Sequence, residues 1–213
     1  YTKSIGPVTI DPCHFDAAQI SQNPVAMPDA HAAKEAQTFL DCCIAQQDSS
    51  GGIIECVITG VPAGIGDPVF DKLDASLAKA IFSIGAVKGF EIGDGFAAAT
   101  ARGSENNDSF VPHENAPLTK ATNHAGGILG GMSDGAPIVL RAAVKPTPSI
   151  FKAQQTVNRS GENITLEIKG RHDPVIVPRA VVVVESMAAL VLVDALMENM
   201  SSRLEHMIEF YNS

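Results

Sequence analysis

Apolar residues recur along this chain with two different periods, and the switches between them outline its elements. Behind Pro28-Asp29, an N-cap signature, Ala33, Ala36, Leu40, Cys43 and Ile44 recur at helical spacing and predict a helix over residues 30–48 that ends at a Ser-Ser-Gly-Gly run. Residues 53–59 (IIECVIT) are β-branched and bounded by glycines, hence a strand. Phe70, Leu73, Leu77, Ile81 and Ile84 then fall on one helical face, with Asp67 as N-cap, Pro68 at the first turn and Gly85 as the stop. Strands are predicted over residues 86–92, 97–102, 137–144 and 163–169. In the last, Ile164, Leu166 and Ile168 alternate with Asn163, Thr165, Glu167 and Lys169, which implies one dry and one wet face. Val181 to Val184 favour a strand, but the Ala, Leu and Met residues behind them favour a long buried helix through Met200.

The segments between are read from their breakers. Residues 1–27, with four prolines or glycines among short apolar pieces, read as a connecting arm. Residues 103–123 are polar and irregular, a long loop that serves as a lid or oligomer contact or is plain surface. A length of 213 residues fits one domain.

Composition narrows the function classes. A formal charge of −9 disfavours nucleic-acid and lipid-surface partners, which dense positive charge attracts. The apolar stretch at residues 175–197 has membrane-spanning length, but Pro178, Arg179, Glu185 and Asp194 interrupt it, which argues for a buried helix and no membrane. Cys13, Cys42, Cys43 and Cys56 lack CxxC spacing, so reduced and mostly buried thiols in a cytoplasmic protein are expected.

The chemistry concentrates in three places. GGILGGMSDG, residues 126–135, is glycine-dense enough to suggest backbone that turns sharply or lies against something. Lys145, Pro146, Thr147, Pro148 and Ser149 follow, an ammonium and two hydroxyls on stiffened backbone, suited to an anionic oxygen or ring carbonyl. These are two walls of one ligand site, or a glycine turn followed by an ordinary edge strand. Arg171, His172 and Asp173 form a third cluster, where Arg offers donors for phosphate or carboxylate and Asp can accept or relay a proton. No HExxH or CxxC pattern supports a metal. His124 reads as a loop or capping residue, and Asp134 as an acid turned to solvent.

Five segments in order, GVPAGIGDPVFDKLDA, SIGAVKGFEIGDGF, NHAGGILGGMSDG, KPTPSI and GRHDP, closely resemble the C-terminal part of the chorismate synthases. The resemblance implies an α+β fold of helices packed between antiparallel sheets, here incomplete. It implies a flavoprotein lyase of the shikimate pathway, on the route to aromatic amino acids, that converts 5-enolpyruvylshikimate 3-phosphate to chorismate and phosphate. Reduced FMN is its cofactor, NADPH serves as reductant in some members, and the full-length family assembles as a homotetramer. Carried over, FMN contacts fall at Gly85, Ala86, Gly130, Lys145, Pro146, Thr147, Pro148, Ser149 and Arg171, and Asp173 is the acidic residue beside the flavin. The family's two catalytic histidines and main substrate arginines have no match here, so the resemblance implies a polypeptide incompetent on its own. A flavin- or phosphate-binding module, or a structural assembly half without chemistry, is the alternative.

Overall fold

In the computed structural model, which describes residues 1–113, 116–170 and 172–212, the elements follow largely from local sequence. In chain order they are β1 (Thr2–Ile5), β2 (Val8–Thr9), α1 (Ala30–Ala45), β3 (Gly52–Ile58), α2 (Leu73–Phe82), β4 (Val87–Ile92) and α3 (Gly103–Asn106). Then come β5 (Phe110–His113), β6 (Ala116–Lys120), β7 (Ile128–Leu129), β8 (Met132–Ser133) and β9 (Ile138–Val144). Last are β10 (Gln154–Val157), β11 (Asn163–Leu166), α4 (Val177–Ser201) and α5 (Leu204–Asn212). The class is α+β, helices with antiparallel strand pairs, as expected.

Where one domain is expected, the chain groups into two compact units, Tyr1–Ile54 with Ala143–Val182, and Glu55–Ala142 with Val183–Ser213. The first unit is built on α1. Asp29 is buried at its N-cap, accepting from the backbone N–H of His31 at 2.9 Å, Ala32 at 3.1 Å and Asp11 at 3.1 Å. Burial opposes ionisation of Asp29, but these three donors outweigh it and hold the carboxyl below its usual range. Ala32, Ala33, Ala36 and Leu40 form the buried stripe of α1, packed with Ile5, Ile10, Val25 and Met27.

That cluster corrects the reading of residues 1–27 as an arm. β1 pairs antiparallel with β2 and with β3, and Thr2 N–H donates to Ala26 O at 2.9 Å, so the segment belongs to the core. Four-residue strands have too few positions to show a period, and this one depends on a partner fifty residues away. The β10–β11 hairpin also differs: β11 ends at Leu166 and all four of its residues are exposed, so the expected dry face lacks a covering layer.

In the second unit β9 lies between β3 and β4 in the strand order. Its buried Ile138, Leu140 and Ala142 alternate with half-buried positions. Arg141 on the other face donates through Nη1 to Glu55 of β3 at 3.2 Å and through Nε to Glu91 of β4 at 3.0 Å, a cross-strand ionic triad. Helix α2 buries Leu73, Leu77 and Ile81, but Asp67 is not its cap. A 3-10 turn at Val69–Asp71 intervenes, which leaves Phe70 91% exposed. Residues 95–100 form a 3-10 helix rather than a strand, since the three alanines after Gly95 lack the branched side chains a pleated surface packs.

The loop expected at residues 103–123 holds α3 and the strands β5 and β6, which pair antiparallel with Phe110 opposite Lys120. Helix α4 has the predicted place but not the predicted burial. Within the second unit Val184, Ala188 and Leu192 make one buried stripe, while Val183, Leu190, Val193 and Met197 are exposed. By length and composition α4 could span a bilayer, and 17% of its apolar window is buried. One stripe is enough to dock a helix, and its other aliphatic positions stay uncovered. Of the four thiols, Cys13 and Cys42 are exposed, Cys43 is buried and Cys56 is half-buried, so the expectation of mostly buried thiols holds for only part of the set.

Candidate functional site

The glycine run belongs to the second unit, and most of what lies against it is the protein's own backbone. Gly126 has φ +67°, and a Cβ there would stand 2.3 Å from Gly93 N, so two chain segments touch where no side chain fits. Gly130 differs: at φ +61° it is exposed, with nothing within 4 Å of a Cβ. Of the glycines expected to carry cofactor in this unit, Gly130 and Gly85 both present open backbone, and Ala86 holds φ +72°, a left-handed conformation uncommon for a residue with a side chain.

A buried ionic cluster holds the run in place. Lys120 Nζ pairs with Asp134 and lies 3.6 Å from Asp108 Oδ2, and the side chains of Lys120 and Asp108 are each 4% exposed. Asp108 also accepts from Thr122 Oγ1 at 2.7 Å, His124 N at 2.8 Å and Ala125 N at 3.0 Å. Burial alone would raise its pKa, but the Ala125 and His124 amides, the Thr122 hydroxyl and the Lys120 charge lower it to about 2. Asp134 therefore does not face solvent as expected. It is turned inward, accepts from Ala136 N at 2.9 Å, and is neutralised by Lys120. His124 Nδ1 lies 2.7 Å from Asp94 Oδ2, and Asn106 Nδ2 donates to the same oxygen at 3.2 Å, which fits the loop-anchoring role read from sequence.

The first unit holds the rim at residues 145–149 and Asp173, while Arg171 lies outside the described residues. Lys145 is exposed, and Pro146 and Pro148 stiffen the backbone between it and Ser149. Thr147 Oγ1 is buried without a hydrogen-bond partner among the described residues, while the Thr147 carbonyl accepts from Ser49 Oγ at 2.7 Å. Ser50 N–H donates to Pro174 O at 2.7 Å. Residues 49–50 thus tie the rim and the 172–174 corner together. Asp173 pairs with Arg179, in the first turn of α4, which fixes the carboxylate without burying it. Asp48 pairs with Lys152, and its hydrogen bond to that ammonium holds the Asp48 carboxyl below its usual range.

Sequence reading missed Ser49, Asp48 and Lys152, because Ser49 meets Thr147 across 98 positions and no local pattern marks such a bond. Chemically, an exposed ammonium and an unpartnered buried hydroxyl suit anionic or carbonyl oxygen, and an oriented carboxylate can take up a proton.

Comparison with known proteins identifies the family. A family model described as chorismate synthase matches residues 1–197. The chain is 63% identical over 211 residues to the chorismate synthase of Lachnoclostridium phytofermentans, covering 99% of this chain and 58% of that protein. To that of Agathobacter rectalis it is 61% identical over 211 residues, covering 99% of this chain and 57% of that protein. Among solved structures, one titled crystal structure of chorismate synthase is similar at TM-score 0.77 and 29% identity, over 100% of this chain and 60% of that one. The chain thus spans a little under three fifths of the length of these curated relatives.

Proposed function

Because this chain belongs to the chorismate synthase family, we propose that it supplies flavin-binding and proton-accepting residues to a lyase of that activity. The reaction is the elimination of phosphate from 5-enolpyruvylshikimate 3-phosphate to give chorismate, in the shikimate pathway to aromatic amino acids. The family match over residues 1–197 carries the reading. A cytoplasmic homotetramer, with NADPH as reductant where the enzyme reduces its own flavin, belongs to the same proposal.

Each unit, taken by itself, offers features that suit FMN, two in the first unit and one in the second. Thr147 Oγ1 is a buried hydroxyl without a partner among the described residues. Gly130 offers open backbone, with nothing within 4 Å of a Cβ. Lys145 presents an exposed side chain two and four positions before Thr147 and Ser149 in the sequence. Reduced FMN, when bound, supplies electron density that assists departure of the allylic phosphate. Lys145 and Arg171 balance anionic oxygen, Thr147 and Ser149 donate to it, and Pro146 and Pro148 keep both hydroxyls oriented. Gly85 and Ala86 give flavin contacts through backbone. Asp173, held by Arg179, takes up the proton at its carboxylate.

The 213-residue polypeptide by itself is expected not to turn over, since it spans 58% of its relative and the family resemblance gives no match to the catalytic histidines. FMN titration of the isolated chain, followed by flavin fluorescence, tests the reading. Binding is expected, with affinity falling about tenfold in each of Lys145→Ala, Thr147→Val and Arg171→Ala. Absence of binding, or affinity indifferent to all three substitutions, leaves a structural assembly role instead. Sustained chorismate formation by the isolated chain would refute its incompetence.

A further inference from the structure

Thr147 Oγ1 has a companion in the first unit: His172 Nε2 is also buried with no hydrogen-bond partner among the described residues. Orphaned buried polar atoms are costly, so one that persists marks a place where solvent or a guest supplies the partner. The imidazole is not loosely placed. Phe151 meets it edge-on, with ring centroids 4.6 Å apart and planes at 77°.

His172 lines a cavity of about 70 Å³ with Ser49, Ile150, Phe151, Asp173 and Pro174. That volume takes the edge of a planar guest rather than a whole ring system. Gln47 and Asp48 line it too, and three of the polar groups here already have partners. Asp173 pairs with Arg179, Asp48 with Lys152, and the Ser49 hydroxyl donates to the Thr147 carbonyl. Among the described residues lining the cavity, His172 Nε2 is a buried atom without a partner.

Resting on the flavin reading above, the geometry points to His172 as a further guest-binding residue, whose Nε2 hydrogen-bonds a polar edge atom of the planar molecule that Thr147 also contacts. A carbonyl oxygen or ring nitrogen is the matching chemistry, since neutral imidazole offers one donor and one acceptor. An orphan that waits for a ligand has an unusual signature. Removing it relieves the ligand-free chain while weakening the complex.

The test uses the 213-residue chain and FMN. His172→Phe is expected to lower FMN affinity about tenfold while the thermal midpoint of the ligand-free chain stays level or rises. His172→Gln, which keeps a polar end, recovers part of the affinity. In 15N-histidine spectra, FMN is expected to shift the Nε2 resonance assigned by its loss in His172→Gln. If His172→Phe binds within about twofold of the parent while Thr147→Val is weakened, the inference falls and the flavin reading stands. A fall in both midpoint and affinity with no FMN-induced Nε2 shift in the parent makes His172 structural and also overturns it. If the parent itself does not bind FMN, the flavin reading fails and takes this one with it.

Discussion

Replacing Asp108 by Asn keeps shape and removes one charge and one acceptor from the cluster that holds the glycine run. The carboxylate takes Thr122 Oγ1 at 2.7 Å and His124 N at 2.8 Å on one oxygen, and Ala125 N at 3.0 Å on the other. Asparagine has a single acceptor oxygen, so its amide nitrogen must face at least one of these donors, an orphaning worth about 1–3 kcal/mol. Lys120, 4% exposed, is then left to Asp134 alone, which adds to the loss. Together these give a destabilisation of about 3 kcal/mol, or a fall in thermal midpoint of roughly 6–12 °C for a chain of this size. Urea unfolding followed by far-UV circular dichroism at about pH 7 measures it.

The same carboxylate predicts the pH dependence. Its folded pKa of about 2 lies below the ordinary 3.8, so its contribution is fully present above 3.8 and is lost as pH falls towards 2. That contribution is about 2 kcal/mol. The gap between parent and Asp108→Asn should therefore narrow by about 2 kcal/mol between roughly pH 5 and pH 2. A variant within about 0.5 kcal/mol of the parent at neutral pH, or a gap that ignores pH, would refute the role given to Asp108.

Two further outcomes follow from the same geometry. Gly126→Ala, whose Cβ would meet Gly93 N at 2.3 Å, should cost more than about 3 kcal/mol in urea unfolding. Gly130→Ala, with open space and φ +61°, should cost only about 1 kcal/mol, so equal losses at the two sites would contradict the contacts described. Iodoacetamide followed by peptide mass mapping should label Cys13 and Cys42 ahead of Cys43 and Cys56. The first two are exposed, and burial pushes the thiols of the other two up. Faster labelling of Cys43 than Cys42 would contradict this.

Local chemistry was readable without coordinates. The Asp29 cap and the Ala33, Ala36, Leu40 stripe lie within four positions of their partners, so α1 shows in the period of its residues. The strand at Ile138–Val144 shows likewise through its alternation. The motif order was enough to identify the family, because five spaced motifs rarely coincide by chance. The site was legible only as residue types. Lys145, Thr147 and Asp173 announce oxygen and proton chemistry, but Ser49 and Ser50, which join their loops, are unremarkable serines near the end of a helix.

What the amino-acid order settled by itself was the family, the α+β class and the elements whose hydrogen bonds close within a few residues. Folding in three dimensions decided the rest. It made Thr2–Ile5 core by pairing it with β3, paired Phe110–His113 with Ala116–Lys120, and drew Asp134 inward to a lysine fourteen positions away. It also left much of α4 uncovered where apolar composition argued for burial. The physical reason is common to all four. Burial and charge pairing depend on which distant segment arrives alongside, and a period along the chain carries no information about that neighbour.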